Sequence, residues 1–183
     1  LEYLRGHAEG LLASSACLSG WVAAVLNPEH NADEAEALAK GREAAEALAA
    51  IFPGRFYLEL QDHGIAVQKP VNERMVKLAG ETKLPLILTN DSHFVDDSDY
   101  EPHCWLKCMG NGERIAETKR VYTPAHKIRS EEEMRALAEG YAEPTKGAIL
   151  RAATATVAAA ERCDFGFPSG KSFAYHFPRA KVP

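Results

Sequence analysis

The stretch Lys83-Leu-Pro-Leu-Ile-Leu-Thr-Asn-Asp91-Ser-His93-Phe94 predicts a short buried strand that ends in polar side chains. Its apolar run is too short for a helix, and Pro85 is tolerated only at the start of a strand. Strands that are apolar on both faces are typical of parallel sheets covered by helices. Side chains alternate along a strand, so we expect Asp91 and His93 on one face, about 6.6 Å apart along it. Parallel sheets usually bind ligands at such strand ends, which makes this pair a candidate site.

Taken alone, an Asp-x-His pair has a simpler interpretation. The acid can cap a turn, and the imidazole can be an ordinary, partly buried histidine. The rest of the sequence is therefore needed to decide whether the pair belongs to a site.

Composition and charge indicate an ordinary globular protein and not a general nucleic-acid binder. The 183 residues are 46% hydrophobic and 26% charged, which suits one domain with one core. A formal net charge of -5 argues against a broad DNA-binding surface, although a local basic patch stays open. The four cysteines form no Cys-x-x-Cys pair, so neither a zinc ribbon nor a thioredoxin motif is indicated.

The sequence shows no membrane or secretion signal. No apolar run approaches the roughly 18–20 residues of a membrane span, and no signal peptide opens the chain. We therefore expect a cytoplasmic protein with reduced thiols. Because the chain starts Leu1-Glu-Tyr-Leu-Arg5, without an initiator methionine, we also expect it to be part of a larger protein.

Strand-like and helix-like segments alternate through the first part of the chain. Strands are predicted at 11–17, 55–62 and 84–88, and helices at 21–26, 31–52 and 66–81. Short connections between such elements are typical of right-handed βα units, which build a parallel sheet with outer helices. Further along, the sequence predicts a helix at 100–109, a strand or extended segment at 121–128, a short helix after a capping box at Ser130, and a helix at 143–163.

The strand predicted at 55–62 has one polar face. Glu59 and Gln61 lie on that face, and burying such groups without partners costs several kcal/mol. Either this is an edge strand or the face lines a polar interior. Asp62 and His63 follow at the strand's end, where His63 is either a loop residue or part of a site.

Several ordered motifs resemble the PHP (polymerase and histidinol phosphatase) domain, and more closely that domain in the family of bacterial replicative DNA polymerase III alpha subunits. The motifs are Glu9-Gly-Leu-Leu-Ala-Ser-Ser-Ala-Cys17-Leu-Ser-Gly20, Phe56-Tyr-Leu-Glu-Leu-Gln-Asp-His63-Gly64 and Leu84-Pro-Leu-Ile-Leu-Thr-Asn-Asp91-Ser-His93-Phe94. Segments around His103, Ser130 and Cys163 continue the resemblance over nearly the whole chain.

The resemblance implies a fold and a domain division. We expect an α/β fold in the form of an incomplete distorted (β/α)7 barrel, with a helical segment and an extended tail after it. Residues 1–183 would be one domain fragment. Within it, 1–128 would be the second half of the barrel, 129–164 the helical segment, and 165–183 a linker towards the polymerase palm.

The resemblance also implies a site. Family metal ligands correspond to Cys17, Asp91 and His93, with Glu59, Gln61 and His63 as residues that could support them. A thiolate, a carboxylate and an imidazole suit zinc, or manganese in a mixed site. The family's other ligands, including its His-x-His strand, are not in this sequence, so no complete catalytic set is expected and the fragment alone should be inactive.

Three functions compete on this basis. The parent domain could be a metal-dependent 3′–5′ exonuclease or phosphoesterase that assists DNA replication. It could instead be a scaffold that braces a DNA-directed DNA polymerase and docks a separate proofreading exonuclease. Its partners would be the rest of the polymerase chain and, through it, the DNA primer-template. The third function, a free-standing phosphatase of small phosphoesters, ranks last. For the identity of the parent protein, an error-prone polymerase relative is an alternative.

Overall fold

A parallel sheet of three strands lies at the centre of the structure, a computed structural model that describes residues 1–114 and 122–166. The strands β1 (Ala13–Ser14), β2 (Phe56–Leu60) and β3 (Leu86–Leu88) lie in the order β1-β2-β3. In register, Ala13 pairs with Phe56 and Leu58 pairs with Leu86. The predicted α/β class with parallel strands is confirmed, and the sheet is open, as expected for part of a barrel.

Helices surround this sheet. The α-helices are α1 (Glu2–Arg5), α2 (Trp21–Leu26), α3 (Glu34–Ala49), α4 (Gln68–Thr82), α5 (Tyr100–Asn111), α6 (Glu131–Ala136) and α7 (Thr145–Glu161), and short 3-10 helices span Asp97–Asp99, Pro124–His126 and Leu137–Gly140. Capping side chains start two of the α-helices, and the one at Ser130 is the predicted capping box. The Asp33 carboxylate accepts from the Glu36 N–H at the start of α3, and Ser130 forms a capping box with Glu133 before α6.

The core lies on one face of β2. Phe56, Leu58 and Leu60 alternate towards that face and are buried. They pack against apolar side chains from the helices, of which the largest fully buried ones are Val22, Leu26, Met75, Leu78 and Ile149. The opposite face of β2 carries Glu59 and Gln61. Because β2 is the middle strand, the edge-strand alternative is wrong, and the polar face lines an interior as the other alternative predicted.

Two strand predictions need correction. Of the two alternatives for 121–128, the strand is wrong, because Thr123 caps a 3-10 turn in which its hydroxyl and the His126 side chain form a capping box. Thr123 and Lys127, on either side of this turn, have the extended backbone of the other alternative. The segment's one sheet-like feature is an isolated parallel bridge between Phe94 and Lys127. The strand predicted at 11–17 shortens to β1, because Ala16 turns into a left-handed conformation with φ 61°.

The prediction of an extended linker at 165–183 falls almost entirely on residues outside the described ones. The division of the chain into three segments stays a prediction. Among residues 1–114 and 122–166, no helix is long and apolar enough to cross a membrane.

Helix α7 covers the outer edge of β3. The Thr156 hydroxyl accepts from the Leu88 N–H at 3.0 Å and donates to the Leu88 carbonyl at 2.8 Å. A side chain thereby takes the place that a neighbouring strand would take, so the edge is not available for pairing with another chain.

This contact predicts the effect of removing the hydroxyl. Thr156→Val keeps the side chain's shape but leaves the Leu88 N–H without its partner, so the free energy of unfolding should fall by about 1–2 kcal/mol in urea denaturation. Thr154→Val is the matched control, because it makes the same change on an exposed turn of α7, where the hydroxyl accepts from the Arg135 guanidinium at 3.2 Å in an exposed contact. Its loss should be smaller than that of Thr156→Val. Equal losses in the two variants would contradict the role given to Thr156.

Candidate functional site

The ends of the three strands open into one cavity of about 350 Å³. Parallel strands present their carboxyl ends at the same edge of a sheet, so the loops that follow them meet there. The cavity is lined by Cys17, Leu18 and Ser19 after β1, by Gln61, His63, Ile65 and Gln68 after β2, by Asp91 and His93 after β3, and by Tyr122 and His126. The structure therefore brings Cys17, Asp91 and His93 to a single cavity.

Asp91 and His93 lie in a turn and not on an extended strand. β3 ends at Leu88, and Asp91 has a left-handed backbone with φ 46°. The Asp91 Oδ1 lies 3.5 Å from the His93 Nε2. Because neither residue belongs to β3, the prediction that both lie along an extended strand is wrong. The His93 N–H donates to the His126 carbonyl at 2.8 Å, which holds the turn against the 3-10 segment.

Cys17 shares the cavity but stands apart from this pair. Its thiol is free and partly buried. Within the described parts of the chain, no three His, Cys, Asp or Glu side chains come close enough to hold a metal ion together. The donor types suit zinc or manganese, but the three groups as placed do not form a ligand set. The assignment of Cys17, Asp91 and His93 as metal ligands stays a prediction.

His63 lines the cavity with both ring nitrogens already engaged. Its Nε2–H donates to the Asn90 carbonyl at 2.6 Å, and the Gln68 amide donates to its Nδ1 at 2.8 Å. This pattern requires the neutral ring with the proton on Nε2. His63 thus lies in the cavity wall and fixes the backbone next to Asp91. Its support of a metal site stays a prediction.

A ring of aromatic side chains surrounds His93, and sequence reasoning missed most of it. Tyr122 lies 4.3 Å from His93 between ring centroids, and His103 contacts Tyr122 edge-on at 4.8 Å. His126 stacks on His63 with centroids 3.8 Å apart. These residues come from three separate segments with no shared spacing. The one sequence signal was that His103 falls within a motif that the family shares.

Burial keeps the stacked histidines neutral. Loss of solvent lowers the pKa of His63, and it lowers the pKa of His126 to about 4, with the neighbouring His63 adding to the effect. Burial also lowers the pKa of His103. The stack therefore carries no charge at neutral pH and can pack closely.

Asp62, at the end of β2, is engaged away from the cavity. Its Oδ2 accepts from the Tyr141 hydroxyl at 2.7 Å, and its Oδ1 accepts from the Gly64 N–H at 2.9 Å. Burial raises the pKa of the Tyr141 phenol. This contact ties the segment before α7 to the strand end, and it makes Asp62 a structural residue.

Comparison with known families shows which proteins this chain is similar to. Residues 1–63, which include β1, β2 and Cys17, match the family model of the PHP domain. The chain therefore contains PHP-domain sequence, as its motifs predicted.

Curated relatives narrow the class further. DNA polymerase III subunit alpha of Thermus aquaticus is 32% identical over 187 residues, covering 100% of this chain and 14% of the relative. That of Helicobacter pylori is 36% identical over 139 residues, covering 73% of this chain and 11% of the relative. That of Borreliella burgdorferi is 32% identical over 163 residues, covering 88% and 13%. The resemblance to this polymerase family is confirmed, and the chain spans 11–14% of the length of these relatives.

The lowered pKa of His126 predicts how stability depends on pH. The unfolded chain, with an ordinary histidine pKa of about 6.5, binds this proton more readily than the folded chain does. The stabilisation that comes from the neutral His126 ring is therefore complete above about pH 6.5. It is lost as the pH falls towards about 4. We expect a loss of roughly 2 kcal/mol from this source in urea denaturation.

His126→Phe keeps a ring against His63 but cannot take up a proton, so its stability should fall less steeply between pH 7 and pH 4. His30→Gln, at an exposed histidine, should keep the parent slope. A His126→Phe slope equal to that of the parent would show that His126 does not titrate in this range.

Proposed function

We propose that this chain is the PHP module of a bacterial replicative DNA polymerase of the DNA polymerase III alpha class. The similarity to alpha subunits from distant bacteria over 73–100% of the chain supports this. In this proposal the module acts in the cytoplasm, within a longer polypeptide that carries the nucleotidyltransferase. It would contact the rest of that polypeptide and, through it, the primer-template. The similarity does not distinguish the replicative polymerase from its error-prone relative, which stays an alternative.

Within the module, we assign the strand-end cavity to a phosphoester site that trims DNA 3′ ends. The observation that carries this assignment is the convergence of Cys17, Asp91 and His93 on one cavity. Its volume of about 350 Å³ lies within the range of small-molecule sites. Asp91 would orient His93, and the pair would form one wall of a zinc or manganese site, with Cys17 on the wall formed after β1. A bound metal supplies Lewis-acid polarisation of a phosphoryl oxygen.

A second candidate is a docking module that braces the polymerase and holds a separate proofreading exonuclease. Two observations favour it. The described residues contain no group of three donors close enough for a metal, and His63 has both ring nitrogens engaged within the protein. In this reading the cavity residues are remnants of a site.

Metal content of the full-length protein separates the two candidates. We expect Asp91→Asn and His93→Ala each to weaken manganese binding by at least about 10-fold, because each changes a proposed ligand. The thermal midpoint should stay within a few degrees of the parent value, because both side chains are partly exposed. Cys17→Ser should weaken manganese binding as well if the thiol is one of the metal ligands. Cys104→Ser, a partly buried cysteine on α5, is the control and should bind as the parent does.

Trimming of single-stranded DNA 3′ ends is measured on the same proteins. Loss of metal together with loss of trimming in the Asp91 and His93 variants would support the phosphoester site. A parent that binds no zinc or manganese and trims no DNA would refute that site and leave the docking module.

A further inference from the structure

Glu59 lies at the middle of the polar face of the sheet. It is the fourth residue of β2 (Phe56–Leu60), and it is partly buried on the face opposite Leu58 and Leu60. A carboxylate on a central strand must find donors, since it can only accept hydrogen bonds. The donors to its carboxylate indicate the role of Glu59.

Those donors come from all three strands. The Ser14 hydroxyl of β1 donates to the Glu59 Oε2, and the Thr89 hydroxyl, directly after β3, donates to the Oε1. The Gln61 amide of the same strand segment donates to the Oε1 at 2.9 Å and to the Thr89 Oγ1 at 3.2 Å. One carboxylate thus joins β1 to β2 and β2 to β3.

These side-chain bonds matter because the flanking strands are very short. β1 has two residues and β3 has three, so few backbone hydrogen bonds hold either of them to β2. The Ser15 hydroxyl adds a further tie by accepting from the Glu59 N–H at 2.9 Å. Backbone bonds from the Ser15 N–H to the Tyr57 carbonyl and from the Thr89 N–H to the Leu60 carbonyl hold the same strand ends. Glu59 adds a side-chain contact to each of them.

The same strand ends carry the walls of the cavity. Ser14 is followed three residues later by Cys17, and Thr89 precedes Asp91 by two residues. We propose that Glu59 is a positioning residue, which sets the separation between the Cys17 wall and the Asp91–His93 wall by clamping β1 and β3 to β2. The proposal deepens the proposed function, since it gives the strand-end cavity a support that lies outside its lining.

Glu59 is better explained as a clamp than as a ligand. Both of its carboxylate oxygens already accept from protein donors. It does not line the 350 Å³ cavity, whereas its partner Gln61 does. A group that acts through the strands should affect both cavity walls at once, and this sets the test.

The test compares Glu59→Ala and Glu59→Gln with two controls in the full-length protein. Glu43→Ala removes an exposed carboxylate from α3. Leu48→Ala lowers global stability through α3, whose Leu48 packs against the core, and so shows what simple destabilisation does. The readouts are amide hydrogen exchange at residues 13–17 and 86–91 and the dissociation constant for Mn²⁺ measured by calorimetry.

Glu59→Ala should raise amide exchange about 10-fold in both segments and weaken Mn²⁺ binding about 10-fold. Glu59→Gln should fall between it and the parent, because the amide retains one acceptor oxygen. Leu48→Ala should lower the thermal midpoint without a selective change in either segment.

The result that overturns the proposal is unchanged exchange in either segment of Glu59→Ala, or the same pattern in Leu48→Ala. The exchange readout does not depend on metal. A parent that binds no Mn²⁺ would therefore refute the metal site alone, while a rise in exchange of both segments would still support the clamp.

Discussion

The parallel pairing of β2 with a strand on each side is the constraint on which the rest of the structure depends. It places the ends of β1, β2 and β3 at one edge, so residues far apart in sequence, such as Cys17 and Asp91, come to line one cavity. It also divides β2 into an apolar face, which carries the core, and a polar face, which carries Glu59 and Gln61. Fold and site are thus two consequences of one arrangement.

The polar face is stable because its groups satisfy one another. Burying a carboxylate or an amide without partners costs several kcal/mol, but Glu59 receives donors from both neighbouring strands, and Gln61 donates to Glu59 and Thr89. At the strand ends, His63 and His126 avoid a similar cost by remaining neutral, since burial lowers the pKa of each ring. The polar groups of this face and of the cavity wall are therefore stable where they are buried.

The relatives indicate what class of protein the chain resembles, whereas the cavity bears on the chemistry proposed for it. Similarity to DNA polymerase III alpha subunits covers most of the chain and defines what kind of protein this segment resembles. The cavity supports the proposed chemistry, because a carboxylate and an imidazole 3.5 Å apart share it with a thiol. Among the described residues no three such donors group closely enough for a metal, so metal chemistry and scaffolding both stay proposals.

The sequence by itself determined most of the element types, the parallel class, the alternation along β2 and the identity of the strand-end side chains. These follow from local periodicity, capping residues and short apolar runs, as at Asp33, Ser130 and Leu86–Leu88. Only the tertiary structure decided that Asp91 turns back towards His93, that the segment after Thr123 is a 3-10 turn, and that His103, Tyr122 and His126 gather around His93. Local patterns cannot reveal these features, because each depends on contacts between segments that are distant in the chain and share no spacing.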